Sequence, residues 1–86
     1  MAIWRIETCK LEAGYKSHAS IYKLIRDGLW TKPVRLGIRS VGWPEAEVTA
    51  ICKARIAGKT DNELRELVVE LHLRRLDTLE ALGSGA

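Results

Sequence analysis

The chain has 86 residues, of which 47% are apolar and 29% charged, the balance of one folded globular unit with no length to spare for a second core. No apolar run approaches the ~20 residues of a membrane span, and Met1 to Lys10 has neither the basic start nor the apolar stretch of a secretory leader, so a cytoplasmic protein is expected. Cys9 and Cys52 are too few for a disulfide framework and too far apart for a C-x-x-C zinc site, and both are expected to behave as small apolar residues.

The net charge of +3 is unevenly placed. Residues 1–58 carry 10 basic and 5 acidic side chains, whereas residues 59–86 carry 4 and 6. Within Gly14 to Trp43, Lys16, Lys23, Arg26, Lys32, Arg35 and Arg39 are opposed by Asp27 alone. Such a segment is either a solvated basic face or the footprint of a polyanion site.

In chain order, Ile3 to Ile6 reads as a short strand or extended lead-in, and Thr8 as the N-cap of a helix over Cys9 to Ala13, ended by Gly14. Ser17 is the next N-cap, and Ile21, Leu24 and Ile25 recur at the spacing of one buried helix face before Gly28 stops the helix. Two short helices around a turn containing Gly14 make a helix-turn-helix pattern. Pro33 then breaks helix continuation. Val34-Arg35-Leu36 and Val41-Gly42-Trp43, separated by Gly37-Ile38-Arg39-Ser40, predict a small hairpin, or wing.

Pro44 suits the first turn of a third helix, whose positive end Glu45 and Glu47 complement and whose stripe is Val48, Ile51 and Cys52 up to Gly58. Thr60 and Glu63 form a capping-box pattern opening a helix from Asp61 to Leu82, followed by a flexible tail from Gly83 to Ala86. On that helix Leu64, Leu67, Val68, Leu71, Leu79 and Leu82 share one face, with Val69, Leu73 and Leu76 to one side and Glu66, Glu70 and Asp77 facing solvent. So wide an apolar arc exceeds what one small domain covers. Self-association through Val69, Leu73, Leu76 and Leu79 is therefore expected, with a purely intramolecular clamp as the alternative. Arg74 and Arg75 are expected to interrupt any strict two-stranded heptad.

The organisation is thus mainly α with a small β-hairpin: a winged helix-turn-helix over residues 1–58 and a C-terminal helix over 59–82, in a single domain. If Ser17 caps the second helix, His18, Ala19, Tyr22, Lys23 and Arg26 lie opposite its apolar face. With Ser17 and Ser20 at its start, that face combines small residues for close approach, hydrogen-bonding groups and cations, the chemistry of a DNA recognition helix. Lys32, Arg35, Arg39 and Ser40 are placed for a wing that meets an adjacent groove or backbone. Bland readings stand beside these: His18 as part of the cap, Tyr22 packed under the wing and Arg39 as a solvated charge. Trp30 and Trp43 are expected in the core, because a chain without Phe must bury its few large rings.

Ser17-His18-Ala19-Ser20-Ile21-Tyr22, Lys32-Pro33-Val34-Arg35-Leu36-Gly37 and Arg39-Ser40-Val41-Gly42-Trp43 occur in order, and the string resembles the AlpA-like family of small phage and mobile-element DNA-binding proteins. The resemblance covers most of residues 6–58 and implies a MerR-like, excisionase-like winged helix-turn-helix acting as an excisionase (recombination directionality factor) or a transcriptional regulator. His18 stands where the family usually has Arg, Ile51 stands in place of a Trp, and the turn before Ser17 is one residue longer. The Gly14 to Tyr22 stretch and the extension from Ala54 to Val68 are similar to a branch associated with integrative and conjugative elements, which favours excision.

The resemblance implies duplex DNA as partner, self-association on it, a tyrosine or serine integrase in the same complex and a nucleoid-associated location in a bacterial cell. No cofactor, metal or membrane partner is expected. A protein-interaction module with an incidental basic face is the rival of a different class. An enzyme is not expected: there is no phosphate-binding loop, no paired carboxylates on a cleft-forming pattern, and His18 and His72 lack a nucleophile partner.

Overall fold

The computed structural model describes residues 2–84, with side-chain surroundings given for residues 2–77. Its elements are β1 (Ile3–Trp4), α1 (Ile6–Ala13), α2 (His18–Arg26), β2 (Val34–Arg35), β3 (Val41–Pro44), α3 (Glu45–Ile56) and α4 (Asp61–Ser84). Among these residues no helix is long and apolar enough to cross a membrane.

The amino-terminal lead-in does more than expected. β1 pairs antiparallel with β3, Ile3 opposite Pro44 and Trp4 opposite Trp43, so the wing is a three-stranded sheet in the order β1-β3-β2 rather than a hairpin alone. Val34 opposes Gly42 and Arg35 opposes Val41 on the other side. β3 is thus flanked on both sides, and Gly42 sits at the pinch. A Cβ there would lie 2.7 Å from Ile3 Cγ2 and 3.0 Å from both Leu36 Cδ1 and the Trp4 carbonyl oxygen.

Two helix starts differ from expectation. α1 begins at Ile6, with Arg5 at the N-cap making no side-chain cap bond, and Thr8 is already inside the helix. The Arg5 carbonyl accepts the Cys9 N–H at 3.1 Å, so the helix starts where β1 releases the chain and needs no hydroxyl cap. Pro44 ends β3 and is the N-cap of α3 instead of lying in its first turn. Lacking an N–H, it gives the sheet no donor, and the next N–H, of Glu45, bonds the Ala2 carbonyl at 2.9 Å instead.

Other local signals are realised directly. Gly14 is left-handed at φ 80°, and Gly28 and Gly58 take φ 78° and 82° just past the ends of α2 and α3. Thr60 and Glu63 close a reciprocal capping box, with the Thr60 N–H on Glu63 Oε1 at 3.1 Å and the Glu63 N–H on Thr60 Oγ1 at 3.2 Å. α4 continues two residues beyond Leu82, to Ser84, so Gly83 and Ser84 are helical and not part of a tail, and the rest of the expected tail, Gly85 and Ala86, lies outside the described residues.

The core is built from Cys9, Ile21, Trp43, Val48, Ile51, Val68 and Leu71, one or two from each helix and the central strand, together with Trp30 from the connection between α2 and β2. Trp30 and Trp43 are buried as expected. Cys9 is fully buried, and burial pushes its thiol up to about 11, as befits an apolar filler. α4 contributes Leu64, Val68 and Leu71 to the interior, with Leu67 half-buried beside them.

α4 is fastened by more than its apolar stripe. The Arg75 guanidinium donates to both Glu47 oxygens, at 2.6 and 2.7 Å, and to the Lys32 carbonyl at 2.7 Å. Glu47 lies in the first turn of α3, as expected, but it also has a second role. Its side chain is 8% exposed and is the anchor of α4. His72 Nε2 accepts the Lys32 N–H at 3.0 Å, and Arg65 Nε donates to the Asp27 carbonyl at 3.0 Å. The last helix thereby braces both ends of the connection between α2 and β2.

Candidate nucleic-acid interface

α1 and α2 meet across a turn in which the Tyr15 N–H returns to the Lys10 carbonyl at 2.9 Å. The Tyr15 ring is held from α3 by Arg55, whose guanidinium donates to its hydroxyl and lies 5.7 Å from the ring centroid. α2 starts as its sequence dictates: Ser17 Oγ accepts the Ser20 N–H at 3.3 Å and lies 3.1 Å from Ser20 Oγ. The two serines are thus tied to each other at the helix mouth.

Ile21 on α2 is fully buried, whereas Ser17, His18, Ala19, Tyr22, Lys23 and Arg26 are exposed and Ser20 is half-buried. His18 does not cap the helix. Its Nε2 lies 2.7 Å from Glu7 Oε1, a bridge from α2 back to α1. That bond, with Lys10 behind it, holds the Glu7 carboxyl below its ordinary range. Tyr22 is 46% exposed while its ring meets Trp43 edge-on, centroids 6.3 Å apart at 67°. It therefore both packs beneath the sheet and shows part of its ring to solvent, and the contact couples the candidate recognition helix to β3.

The wing turn is closed by backbone alone, with Leu36 N–H and Gly37 N–H both donating to the Ser40 carbonyl, at 2.8 and 3.3 Å. Arg35 and Arg39 are exposed, Lys32 projects from the base and Ser40 is half-buried. Ile38 beside Arg39 is 96% exposed, which hydropathy had not suggested.

The electrostatics separate the two halves of the fold. Lys16, Lys23, Arg26, Lys32, Arg35 and Arg39 are all exposed, and among the described residues Arg26 alone of these lies within ion-pair distance of a carboxylate, 3.5 Å from Asp27. By contrast Lys59, Arg74 and Arg75 are paired with Glu63, Glu70 and Glu47. Lys16 was not among the predicted contacts, yet shares the unpaired basic surface. The residues that position the site from behind, Arg65, His72 and Arg75, were missed. Their partners lie 38, 40 and 28 to 43 residues away, beyond any local pattern.

On α4, Val69, Leu73 and Leu76 are each 59% exposed. The Leu79 side chain lies outside the described residues.

Residues 13–56, half of the chain, match the family described as prophage CP4-57 regulatory protein (AlpA). The chain is also similar to the uncharacterised protein ORF88 of Enterobacteria phage P4, 46% identical over 43 residues, which are 50% of this chain and 49% of that protein. It thus spans about half the length of that curated relative. No solved structure matches. The matched residues run from the turn before α2 through the wing to the end of α3, the very elements that carry the unpaired cations, and the chain belongs to the AlpA family of prophage regulatory proteins, with its winged helix-turn-helix fold.

Proposed function

We propose that this protein binds duplex DNA, with α2 in a major groove and the β2–β3 wing on the neighbouring backbone or minor groove, and that it acts as an excisionase. In this reading Ser17, His18, Ala19, Ser20, Tyr22, Lys23 and Arg26 face the bases and phosphates, and Lys32, Arg35, Arg39 and Ser40 the flanking strand. The observation that carries the proposal is the run of exposed cations on α2 and the wing, unpaired among the described residues except for Arg26. Cations left without internal partners are available to release counterions from a polyanion.

As an excisionase the protein makes no bond itself. Copies bound at an attachment site bend the DNA, which lets a separate tyrosine or serine integrase build the excisive complex. A 9.6 kDa unit makes few base contacts, so its single-copy affinity is weak and salt-sensitive, and neighbouring copies compensate. A second reading, regulation of the element's own genes, is favoured by the family's description as regulatory proteins.

Gel-shift titration at fixed physiological salt, on duplexes from the element's attachment site, from its promoters and with scrambled sequence, tests both. A cooperative ladder on the attachment-site duplex, followed by stimulated excision with the integrase, supports the excisionase. One discrete complex on a promoter duplex supports the regulator. Absence of any shift at low salt refutes DNA binding itself.

A further inference from the structure

The docking of α4 divides its apolar residues into two opposite faces rather than one broad arc. Leu64, Val68 and Leu71 enter the core, and Arg75 turns inward to Glu47. Val69, Leu73 and Leu76 project from the far side, each 59% exposed. Their spacing of four and then three residues is that of successive d, a and d positions of a heptad. At about 100° per residue Arg74 and Arg75 fall well away from this line, so neither interrupts it, contrary to the expectation from sequence.

The flanks of the line carry opposite chemistry. Arg65 and His72 occupy the two g positions on one side, and Glu70 and Asp77 the two e positions on the other. Arg65 is held on its flank by the Asp27 carbonyl and by Asn62 Oδ1, both at 3.0 Å. His72 accepts the Lys32 N–H through Nε2, which places its own N–H on Nδ1. In a parallel pair of such helices each g residue faces the e residue five positions further on in the other copy. Arg65 then meets Glu70 of the second copy, whose carboxylate also holds Arg74 of its own helix at 2.6 Å, and His72 meets Asp77. An antiparallel pair instead sets acid against acid and base against base. Glu66, at the next a position, ends the seam with like charges across the axis.

We propose that this face of α4 pairs with the same face of a second copy of the chain, parallel and in register. Three apolar side chains per copy fall far short of the roughly 800 Å² per partner of a stable interface. The contact is therefore weak between free molecules and forms when two copies are held close, as on the DNA of the function proposed above, where linkage raises their effective concentration.

Oxidative cross-linking of Val69→Cys, read against the wild-type chain with its native Cys9 and Cys52, tests the pairing with and without a two-site duplex. A concentrated sample without DNA keeps the test independent of DNA binding. In register, Val69→Cys links to itself, at least tenfold faster than it links to Leu76→Cys in a mixture. Preferential linkage between Val69→Cys and Leu76→Cys would mean an antiparallel pair and overturn the proposal. No linkage above wild type in the concentrated sample and on doubly occupied DNA would also overturn it, leaving the face to a different partner. Leu73→Asp, an exposed change that leaves the helical circular dichroism intact, should abolish the Val69→Cys linkage. Failure to bind the duplex at all would count against the proposed function alone.

Discussion

Replacing Arg39 with alanine should remove close to one phosphate's worth of salt dependence from DNA binding while leaving the fold untouched. The wing turn is closed by the Leu36 and Gly37 N–H groups on the Ser40 carbonyl, and the exposed Arg39 side chain takes no part in it. Stability in urea should therefore change by less than about 0.5 kcal/mol. If Lys23, Arg26, Lys32, Arg35 and Arg39 each neutralise one phosphate, log K falls against log salt with a slope of about −4.5, a loss of roughly 500-fold between 50 and 200 mM. Arg39→Ala lowers the steepness by about 0.9, and the gap between variant and wild type narrows as salt rises. Fluorescence anisotropy on a labelled duplex at four or five salt concentrations measures both slopes. Lys53→Ala, an exposed change on α3, serves as the control and should leave the slope unchanged. An unaltered slope for Arg39→Ala, with Lys23→Ala equally silent, would refute the assignment of this surface to phosphate contact.

Breaking the anchor of α4 should be costly. Arg75→Ala leaves the buried Glu47 carboxylate without its two charge-assisted bonds and should lose about 3–5 kcal/mol in denaturant unfolding. The double change Glu47→Leu with Arg75→Met should recover much of that, and a double as unstable as the single would show that the pair is not the cause. Gly42→Ala drives a methyl to 2.7 Å from Ile3 Cγ2 and 3.0 Å from the Trp4 carbonyl oxygen, and should cost about 1–3 kcal/mol, with hydrogen exchange rising first at β1. Burial, reinforced by the positive Arg75, holds the His72 imidazole below its ordinary 6.5. Because the unfolded chain then takes up the proton more readily, stability is full above about pH 6.5 and falls as pH drops through the folded value; His72→Gln should flatten that decline in thermal melts.

Much of the fold was legible because its signals are local. Ser17, the Thr60 and Glu63 box, and the glycines after α2 and α3 act within four residues of themselves, and each forms what its chemistry dictates. Trp30 and Trp43 were legible for a global but equally simple reason, the scarcity of other large rings. What was not legible depends on partners distant in sequence. A short strand was one reading of Ile3 to Ile6 and β1 forms there, but its place on the open edge of β3 depends on residues far along the chain and had no local signal. Thr8 loses its capping role because the chain turns into α1 earlier, at the point where that strand ends. Glu47 read as a helix-end charge because nothing near it in sequence hints at Arg75. On the candidate site, the exposed cations of α2 and the wing were visible from composition, whereas the bridge from His18 to Glu7 and the edge contact of Tyr22 on Trp43 required the tertiary arrangement.

The charge partition follows from that arrangement more than from the net charge of +3. Were the carboxylates of the carboxyl-terminal half free to fold over the basic segment, they would neutralise it. Instead Glu63 is turned back on Thr60 and Lys59, Glu70 is taken by Arg74, and Glu47 is sealed beneath Arg75. The same Arg75, with His72 and Arg65, takes hold of backbone rather than side chains at Lys32 and Asp27. The Lys32 side chain therefore stays exposed even as its peptide groups are fixed from behind. α4 thus does two jobs by one device: spending its own cations on buried or helical carboxylates and on carbonyls, it fixes the frame of the basic surface without discharging it. A polyanion meeting α2 and the wing meets cations whose backbone is already ordered, so less conformational entropy is lost on binding than a floppy basic tail of equal charge would lose.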